Sequence, residues 1–274
     1  MFIYIFADLP MYVRGPLIRR GGESCYCVSV ARQNESEDPK ILVGGEGGFN
    51  IYNLDGTGGE RVAVSAGAIW GIQWHENEIF ALCKTRNKKR SEILVFFKRD
   101  SQWAKIRGWE VPHTEYWTNI AVGSSAFDPF TVLYVPTTNP QIGVKAYSLN
   151  GVNADHIRPT PLVLCPPNLN PCFVTCSGAP PTVFVSDPDK GEVVRFDEGR
   201  NLSVPFPDGS PRSLCWDSGM VFVWLNYTKT IKVLEDNGGK YYYSEIQLKM
   251  AIMNQFAQSL LKSKRAAQFI YCCT

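Results

Sequence analysis

Short apolar runs separated by polar turns recur along the whole of the 274-residue chain. The runs are rich in Val, Ile, Phe, Tyr and Trp, and Gly, Asn, Asp and Pro interrupt them, which is typical of β-strands joined by turns. Apolar residues at helical spacing occur in one segment, 247–264. The pattern therefore predicts an all-β fold.

The apolar runs are organised in repeated units. Five pairs of runs share one order, in which a run, a loop, a second run and a polar turn follow each other: 41–43 with 49–56, 79–83 with 93–100, 131–135 with 144–151, 183–185 with 193–199, and 221–225 with 231–238. A further short run precedes each pair, such as 69–74, and another follows several of them, such as 61–65. Four antiparallel strands per unit form the blade of a β-propeller.

The two ends of the chain together predict a sixth unit. Residues 258–261 and 269–273 match its first two strands, and residues 1–9 and 11–18 supply the other two. With this unit, the repeat averages about 46 residues, which is usual for propeller blades. We therefore predict one domain over 1–274, a six-bladed propeller with two-plus-two closure of the last blade by 1–18 and about 256–274. An unrelated β-sandwich or two smaller β domains are the alternatives.

Two of the units resemble known propeller repeats. Residues 183–196, V-F-V-S-D-P-D-K-G-E-V-V-R-F, resemble the NHL-type repeat, in which an apolar strand ends in Ser-Asp and a polar hairpin leads to the next strand. Residues 41–56, with a Gly-Gly-Glu-Gly-Gly hairpin and an Ile-Tyr-Asn-Leu-Asp-Gly ending, are similar to both NHL and WD40 blades. The resemblance implies a propeller built of NHL- or WD40-like repeats.

Composition and charge limit the partners of this fold. The chain is 45% hydrophobic and 20% charged, which excludes intrinsic disorder, and its formal net charge is +2. This near balance gives no support to DNA or membrane binding through bulk charge. Residues 1–10 lack the features of a signal peptide, and no apolar run reaches the roughly 18 residues of a membrane helix. We expect a cytoplasmic protein that binds neither DNA nor membranes.

The nine cysteines lie mostly inside apolar runs, as reduced and buried thiols do. Cys165, Cys172 and Cys176 are the closest approach to a metal site, but their spacing matches no paired Cys-x-x-Cys motif. We therefore expect neither a metal nor a cofactor.

Propellers usually bind their ligands on one face around the central channel. In a four-stranded blade, the hairpins between second and third strands emerge at the same end as the blade-to-blade connections, and we call this end the loop face. Its aromatic residues favour a protein or peptide partner, because such residues dominate interface energetics; core packing is an equally good interpretation for the tryptophans. The predicted binding residues are Trp70, His113, Glu115, Tyr116, Trp117, Asp187, Lys190, Asp208, Arg212 and Tyr227.

RNA binding is one alternative function for this face. Arg86, Lys88, Lys89 and Arg90 form the densest basic cluster in the chain, with Lys84 and Lys98 close by in sequence. On a protruding 84–90 hairpin the cluster could contact phosphates while nearby aromatic rings stack on bases. A solvated loop tip is the simpler interpretation.

Catalysis is the other alternative. The chain has no Gly-x-Ser-x-Gly or His-Glu-x-x-His motif. His113 with Glu115 could form an acid/base pair. Six-bladed lactonases hold calcium on the channel axis with Glu, Asn and Asp side chains, and this chain could place Glu46, Asn119, Asn168 and Asp187 there. We expect a non-catalytic recognition protein.

Overall fold

The described part of the chain consists of β-strands, turns and loops. The computed structural model describes residues 25–31, 38–53, 56–85, 90–111, 117–124, 131–137, 143–148, 158–163, 169–176, 182–197, 200–207, 209–217, 220–228, 230–237 and 240–246. Within these ranges no helix forms, so none is present that could cross a membrane. The prediction of an all-β protein is confirmed.

The strands form four antiparallel sheets, and within each sheet the spatial order follows the chain order. The first sheet contains β1 (Cys25–Ala31), β2 (Lys40–Asn53), β3 (Glu60–His75), β4 (Glu78–Thr85), β5 (Ser91–Arg99) and β6 (Gln102–Glu110). The second contains β7 (Ala121–Ser124), β8 (Thr131–Pro136), β9 (Val144–Ser148) and β10 (Arg158–Val163). The third contains β11 (Phe173–Cys176), β12 (Val183–Asp187), β13 (Glu192–Asp197) and β14 (Arg200–Pro205). The fourth contains β15 (Pro211–Asp217), β16 (Met220–Leu225), β17 (Thr230–Asn237) and β18 (Lys240–Ile246).

Strand β2 folds back on itself. Lys40 Nζ donates a hydrogen bond of 2.7 Å to Asn53 Oδ1, although the ends of a straight strand of this length would lie roughly 40 Å apart. The bend lies at Gly47 and Gly48, with φ angles of 64° and 133°. A Cβ atom on Gly48 would lie 2.1 Å from the carbonyl oxygen of Val62, so the turn requires glycine there.

The first sheet therefore contains two four-stranded units that share β3. β1 pairs with the first half of β2, and the second half of β2 pairs with the start of β3, where Phe49 lies opposite Val62. The rest of β3 pairs with β4, where Trp74 lies opposite Ile79. With the other three sheets, the described residues hold five units that correspond to the five repeats of the sequence. Residues 1–18 and 256–274, in which the sequence predicts the closing unit, lie outside the described residues, as does 247–264.

The apolar core fills the space between consecutive units. Alternate residues of a strand point to opposite faces of its sheet, so a strand between two neighbours is buried on both sides. In β12, Val183 and Val185 pack with the third unit, whereas Phe184 packs with the fifth. In β4, Ala81 faces the first unit and Leu82 faces the third. The units therefore stack face to face, and this explains their nearly continuous apolar runs.

Side-chain amides connect the first strands of neighbouring units. Gln73 of β3 donates to the carbonyl oxygen of Val122 at 3.1 Å and accepts from its N–H at 2.9 Å. Asn119, just before β7, forms the same pair of bonds with Val174 of β11, at 3.1 and 3.0 Å. Each amide thus satisfies both backbone groups of a residue in the next unit, as a neighbouring strand would.

A serine hydroxyl connects the fourth and fifth units by hydrogen bonds to the backbone of both. Ser186 of β12 is fully buried; its Oγ donates to the carbonyl oxygen of Arg212 at 2.7 Å and accepts from the N–H of Phe173 at 3.1 Å. Accordingly, β3 contacts β7, β7 contacts β11, and β11 contacts β15. The first strands of the units lie side by side.

The Asn119 bonds predict a measurable stability effect. Replacing Asn119 with alanine removes two hydrogen bonds and leaves the N–H and C=O of Val174 buried without these partners. We expect Asn119→Ala to lower the free energy of unfolding by about 2–4 kcal/mol, measured by urea denaturation. Asn201→Ala, at an exposed position of β14, is the matched control and should change it by less than about 0.5 kcal/mol. Equal effects of the two substitutions would contradict the proposed role of Asn119.

Candidate binding face

Hydrogen bonds between turns and connections hold the loop face together. The N–H of Phe206, after β14, donates to the carbonyl oxygen of Gly191 in the β12–β13 turn at 2.7 Å. The N–H of Asn226, in the β16–β17 turn, donates to the carbonyl oxygen of Ser210, just before β15, at 2.9 Å. Second-to-third-strand turns and unit-to-unit connections therefore lie at the same end of the sheets, as the sequence predicts.

Asp187 organises the turn between β12 and β13. Its side chain is fully buried, and its carboxylate accepts hydrogen bonds from the N–H groups of Asn170, Asp189 and Lys190 at 2.9, 3.1 and 3.0 Å. An aspartate that accepts from the backbone of the following residues stabilises a turn. Asp187 therefore stabilises this turn from the protein interior, and Lys190 is exposed on the surface of the loop face.

An aromatic and charged cluster lies between the first two units at the loop face. The rings of Tyr26 and Trp70 are stacked, with centroids 5.0 Å apart and planes 9° from parallel. Lys84 Nζ lies 4.3 Å from the Trp70 ring centroid, and Tyr26 Oη donates to Glu46 Oε1 at 2.8 Å. The attraction between a desolvated ammonium and an indole ring is about 2 kcal/mol, and it offsets part of the cost of burying the charge. We call Tyr26, Glu46, Trp70 and Lys84 the aromatic cluster.

The aromatic cluster contains Trp70, which the sequence predicts for partner binding, and Glu46 and Lys84, which it considers only for calcium and for the basic hairpin; Tyr26 was not singled out. Trp70 and Tyr26 are half-buried and Glu46 is exposed. Lys84 is only 2% exposed, although the sequence places it beside the basic run of the 84–90 hairpin. The alternation along β4 carries a signal for this burial, because Phe80, Leu82 and Lys84 share one face of the strand.

The other predicted residues differ in their exposure. Trp117 is 1% exposed; its ring lies 5.4 Å from that of Tyr147, within the core between the second and third units, so the core-packing interpretation is favoured for it. Arg212 is half-buried at the start of β15, and Tyr227 is 77% exposed in the β16–β17 turn. His113, Glu115, Tyr116 and Asp208 lie outside the described residues.

The three basic residues that the structure describes near the β4–β5 hairpin, Lys84, Arg90 and Lys98, do not form one group. Arg90 is exposed, and its guanidinium lies 3.5 Å from Glu110 Oε1. Lys98 Nζ lies 3.2 Å from Glu60 Oε2, near the end of β5 opposite the loop face. With Lys84 buried, only Arg90 of the described basic residues is exposed at this hairpin, while Arg86, Lys88 and Lys89 lie outside the described residues.

Three of the four residues considered for calcium are engaged in other hydrogen bonds. Glu46 accepts from Tyr26, Asn119 bonds the backbone of Val174, and Asp187 accepts from three backbone N–H groups. Asn168 lies outside the described residues. Among the residues that the structure describes, no group of three His, Cys, Asp or Glu side chains could hold a metal ion.

Burial favours the neutral forms of two cysteines and one histidine in the described part of the chain. Burial raises the pKa of Cys176 to about 12 and that of Cys83 to about 11. The Sγ of Cys176 also lies 3.4 Å from the carbonyl oxygen of Val122. Burial lowers the pKa of His75, although Glu76 Oε1 lies 3.9 Å from its Nε2. At neutral pH both thiols are therefore protonated and poor nucleophiles.

Comparison with known proteins shows the class of fold. No protein-family model matches the chain, and no curated protein has a matching sequence. Its structure is similar to that of nidogen in the nidogen/laminin complex, with a TM-score of 0.58, 14% identity, and coverage of 89% of this chain and 92% of that one. It is also similar to the PQQ-bound aldose sugar dehydrogenase from Streptomyces coelicolor, with a TM-score of 0.54, 12% identity and coverage of 86% and 84%.

A third similar structure is BBS1N in complex with ARL6DN, with a TM-score of 0.51, 12% identity, and coverage of 88% of this chain and 70% of that one. These structures are β-propellers. At this level of identity the likeness shows the fold alone. The chain is therefore a β-propeller protein, and its four-stranded units are blades.

Proposed function

We propose that this protein is a non-catalytic recognition platform that binds a protein or peptide partner on its loop face. The exposure of Tyr227 is the observation that carries the proposal. Among the described residues, the large apolar side chains that are exposed are Ile106 at 45%, Leu202 at 38% and Tyr227 at 77%. Tyr227 is the only aromatic one, and it lies on the loop face. Exposed aromatic rings commonly anchor protein interfaces.

The aromatic cluster extends this surface across the first two blades. It combines a stacked Tyr26–Trp70 pair with the exposed carboxylate of Glu46. An apolar platform beside a polar rim is typical of a binding surface. Asn119 and Asp187, two of the side chains considered for calcium, are buried in structural hydrogen bonds, and this favours binding over calcium-dependent catalysis.

The similar structures are compatible with a protein partner. Nidogen was solved in a complex with laminin and BBS1N in a complex with ARL6DN, whereas the Streptomyces coelicolor protein is a sugar dehydrogenase with bound PQQ. A propeller therefore supports both binding and catalysis, and its function has to be argued from its site. Here the site favours binding.

We further propose that the whole chain, 1–274, is one six-bladed domain of NHL- or WD40-like repeats with two-plus-two closure. The strand patterns in 1–18 and 256–274 support this proposal, as does the β12–β13 hairpin formed by the NHL-like segment. We propose a cytoplasmic location because the cysteines lie in apolar runs, as reduced thiols do. The buried thiols of Cys83 and Cys176 are consistent with this placement.

Closure by the N-terminal residues can be tested by truncation. Deleting residues 1–10 would remove one strand of the closing blade and expose the edge and face of its neighbours. We expect the truncated protein to lose its cooperative thermal transition, measured by circular dichroism and calorimetry. A soluble truncation that melts as sharply as the full chain would contradict the closure.

The proposed face can be tested by quantitative affinity capture. We expect Tyr227→Ala and Trp70→Ala to weaken retention of captured partners by about 30-fold each, as loss of a 2 kcal/mol anchor would. Ile106→Ala and Leu202→Ala remove exposed apolar side chains from β6 and β14, outside the loop face, and serve as matched controls that should retain the partners. Thermal melting would verify that each variant is folded.

Two outcomes would contradict this proposal. If the controls lost partners while the loop-face variants kept them, the binding surface would lie elsewhere. If capture disappeared after nuclease treatment, the partner would be RNA rather than protein.

A further inference from the structure

A polar cleft opens between the first two blades at the end opposite the loop face. Its volume is about 260 Å³. It lies beside the β3–β4 and β5–β6 turns, whereas the β4–β5 hairpin belongs to the loop face. Residues from the first blade form one wall and residues from the second form the other: Lys40, Asn53 and Glu60 on one side, and Trp74, Lys98 and Trp103 on the other.

Two tryptophans give the cleft an aromatic wall. The rings of Trp74 and Trp103 meet edge to face, with centroids 5.2 Å apart and planes at 86°. The indole N–H of Trp74 donates to the carbonyl oxygen of Glu76 at 2.8 Å, whereas the buried N–H of Trp103 has no acceptor among the described residues. Such a wall favours a ligand that presents a flat apolar face.

The polar groups of the cleft leave a positive charge. Lys98 Nζ lies 3.2 Å from Glu60 Oε2, so these two charges compensate each other. Lys40 Nζ donates to the neutral amide oxygen of Asn53 at 2.7 Å, and no described carboxylate lies within salt-bridge distance of it. Two ammonium groups and one carboxylate therefore favour a ligand with a single negative charge.

The volume of the cleft is sufficient for a ligand of one ring. A cavity of about 150 Å³ binds benzene, so 260 Å³ can hold a six-membered ring with one anionic substituent and several small polar groups. The carboxylate of Glu60 is an acceptor only, and it would be satisfied by ligand hydroxyl groups. An unsubstituted aromatic acid such as benzoate offers a flat face and a charge but no such hydroxyls.

We propose that this cleft binds a hexuronate, a six-membered sugar ring that carries one carboxylate. The ligand carboxylate pairs with Lys40, its hydroxyl groups bond Asn53 and Glu60, and its C–H face packs on the tryptophan wall. This site lies at the opposite end from the loop face and is independent of the proposed protein partner.

The proposal is tested by titrating the full-length protein with D-glucuronate, D-glucose and benzoate, using calorimetry and ligand-observed NMR. We expect saturable binding of glucuronate that is at least ten times tighter than that of glucose, which lacks the charge, or of benzoate, which lacks the hydroxyl groups. Absence of saturable glucuronate binding, or equal binding of either comparison ligand, would overturn the proposal.

Substitutions inside and outside the cleft test whether glucuronate binds there. Lys40→Gln should weaken glucuronate binding at least tenfold, and Lys40→Arg, which keeps the charge, should retain most of it. Lys105→Gln removes an exposed lysine on β6, outside the cleft, and should leave the affinity unchanged. An unchanged affinity in a folded Lys40→Gln variant would assign glucuronate to another site and overturn the proposal.

Discussion

Side-chain hydrogen bonds between the first strands of neighbouring blades are the interaction on which the rest of this structure depends. Apolar packing between blades is strong but has little directional preference, so alone it would fix their relative positions poorly. Gln73 and Asn119 each bond both backbone groups of one residue in the next blade. Ser186 bonds the N–H of Phe173 in its own blade and the carbonyl oxygen of Arg212 in the next. These bonds set the height of the second to fifth blades relative to one another. The first blade is joined to the second by the Cys27 thiol, whose Sγ lies 3.4 Å from the carbonyl oxygen of Ile69, and by the stacked rings of Tyr26 and Trp70.

The same arrangement separates two kinds of surface. At the loop face, buried groups such as the carboxylate of Asp187 stabilise the turns through hydrogen bonds to the backbone. The exposed Tyr227 projects from the β16–β17 turn. At the opposite end, the outer parts of the first two blades leave a cleft with an aromatic wall and a lysine ammonium that no described carboxylate neutralises. The proposed protein-binding and hexuronate-binding sites could therefore be occupied at the same time.

The repeated units could be predicted from the sequence because alternating burial and turn residues are local properties of the chain. One junction was not predicted correctly: residues 61–65 and 69–74 were expected as separate strands, whereas β3 is continuous. Gly67 allows this continuity, since a Cβ atom there would lie 2.1 Å from the carbonyl oxygen of Lys84. Lys84 was assigned to an exposed basic run by its neighbours in sequence, yet Trp70 holds it in the interior. The cleft was missed because its nine lining residues are spread between positions 40 and 103, and only the stacking of two blades brings them together.

The claim that the loop face binds a partner is tested most directly by site-specific photocrosslinking. Tyr227 would be replaced by p-benzoylphenylalanine, a larger aromatic side chain whose ketone inserts into nearby C–H bonds under ultraviolet light. Ile106 would be replaced in the same way as the control. We predict covalent adducts with the bound partner from position 227 and none from position 106. Adducts from position 106 alone, or a bound partner that never crosslinks at position 227, would contradict the account.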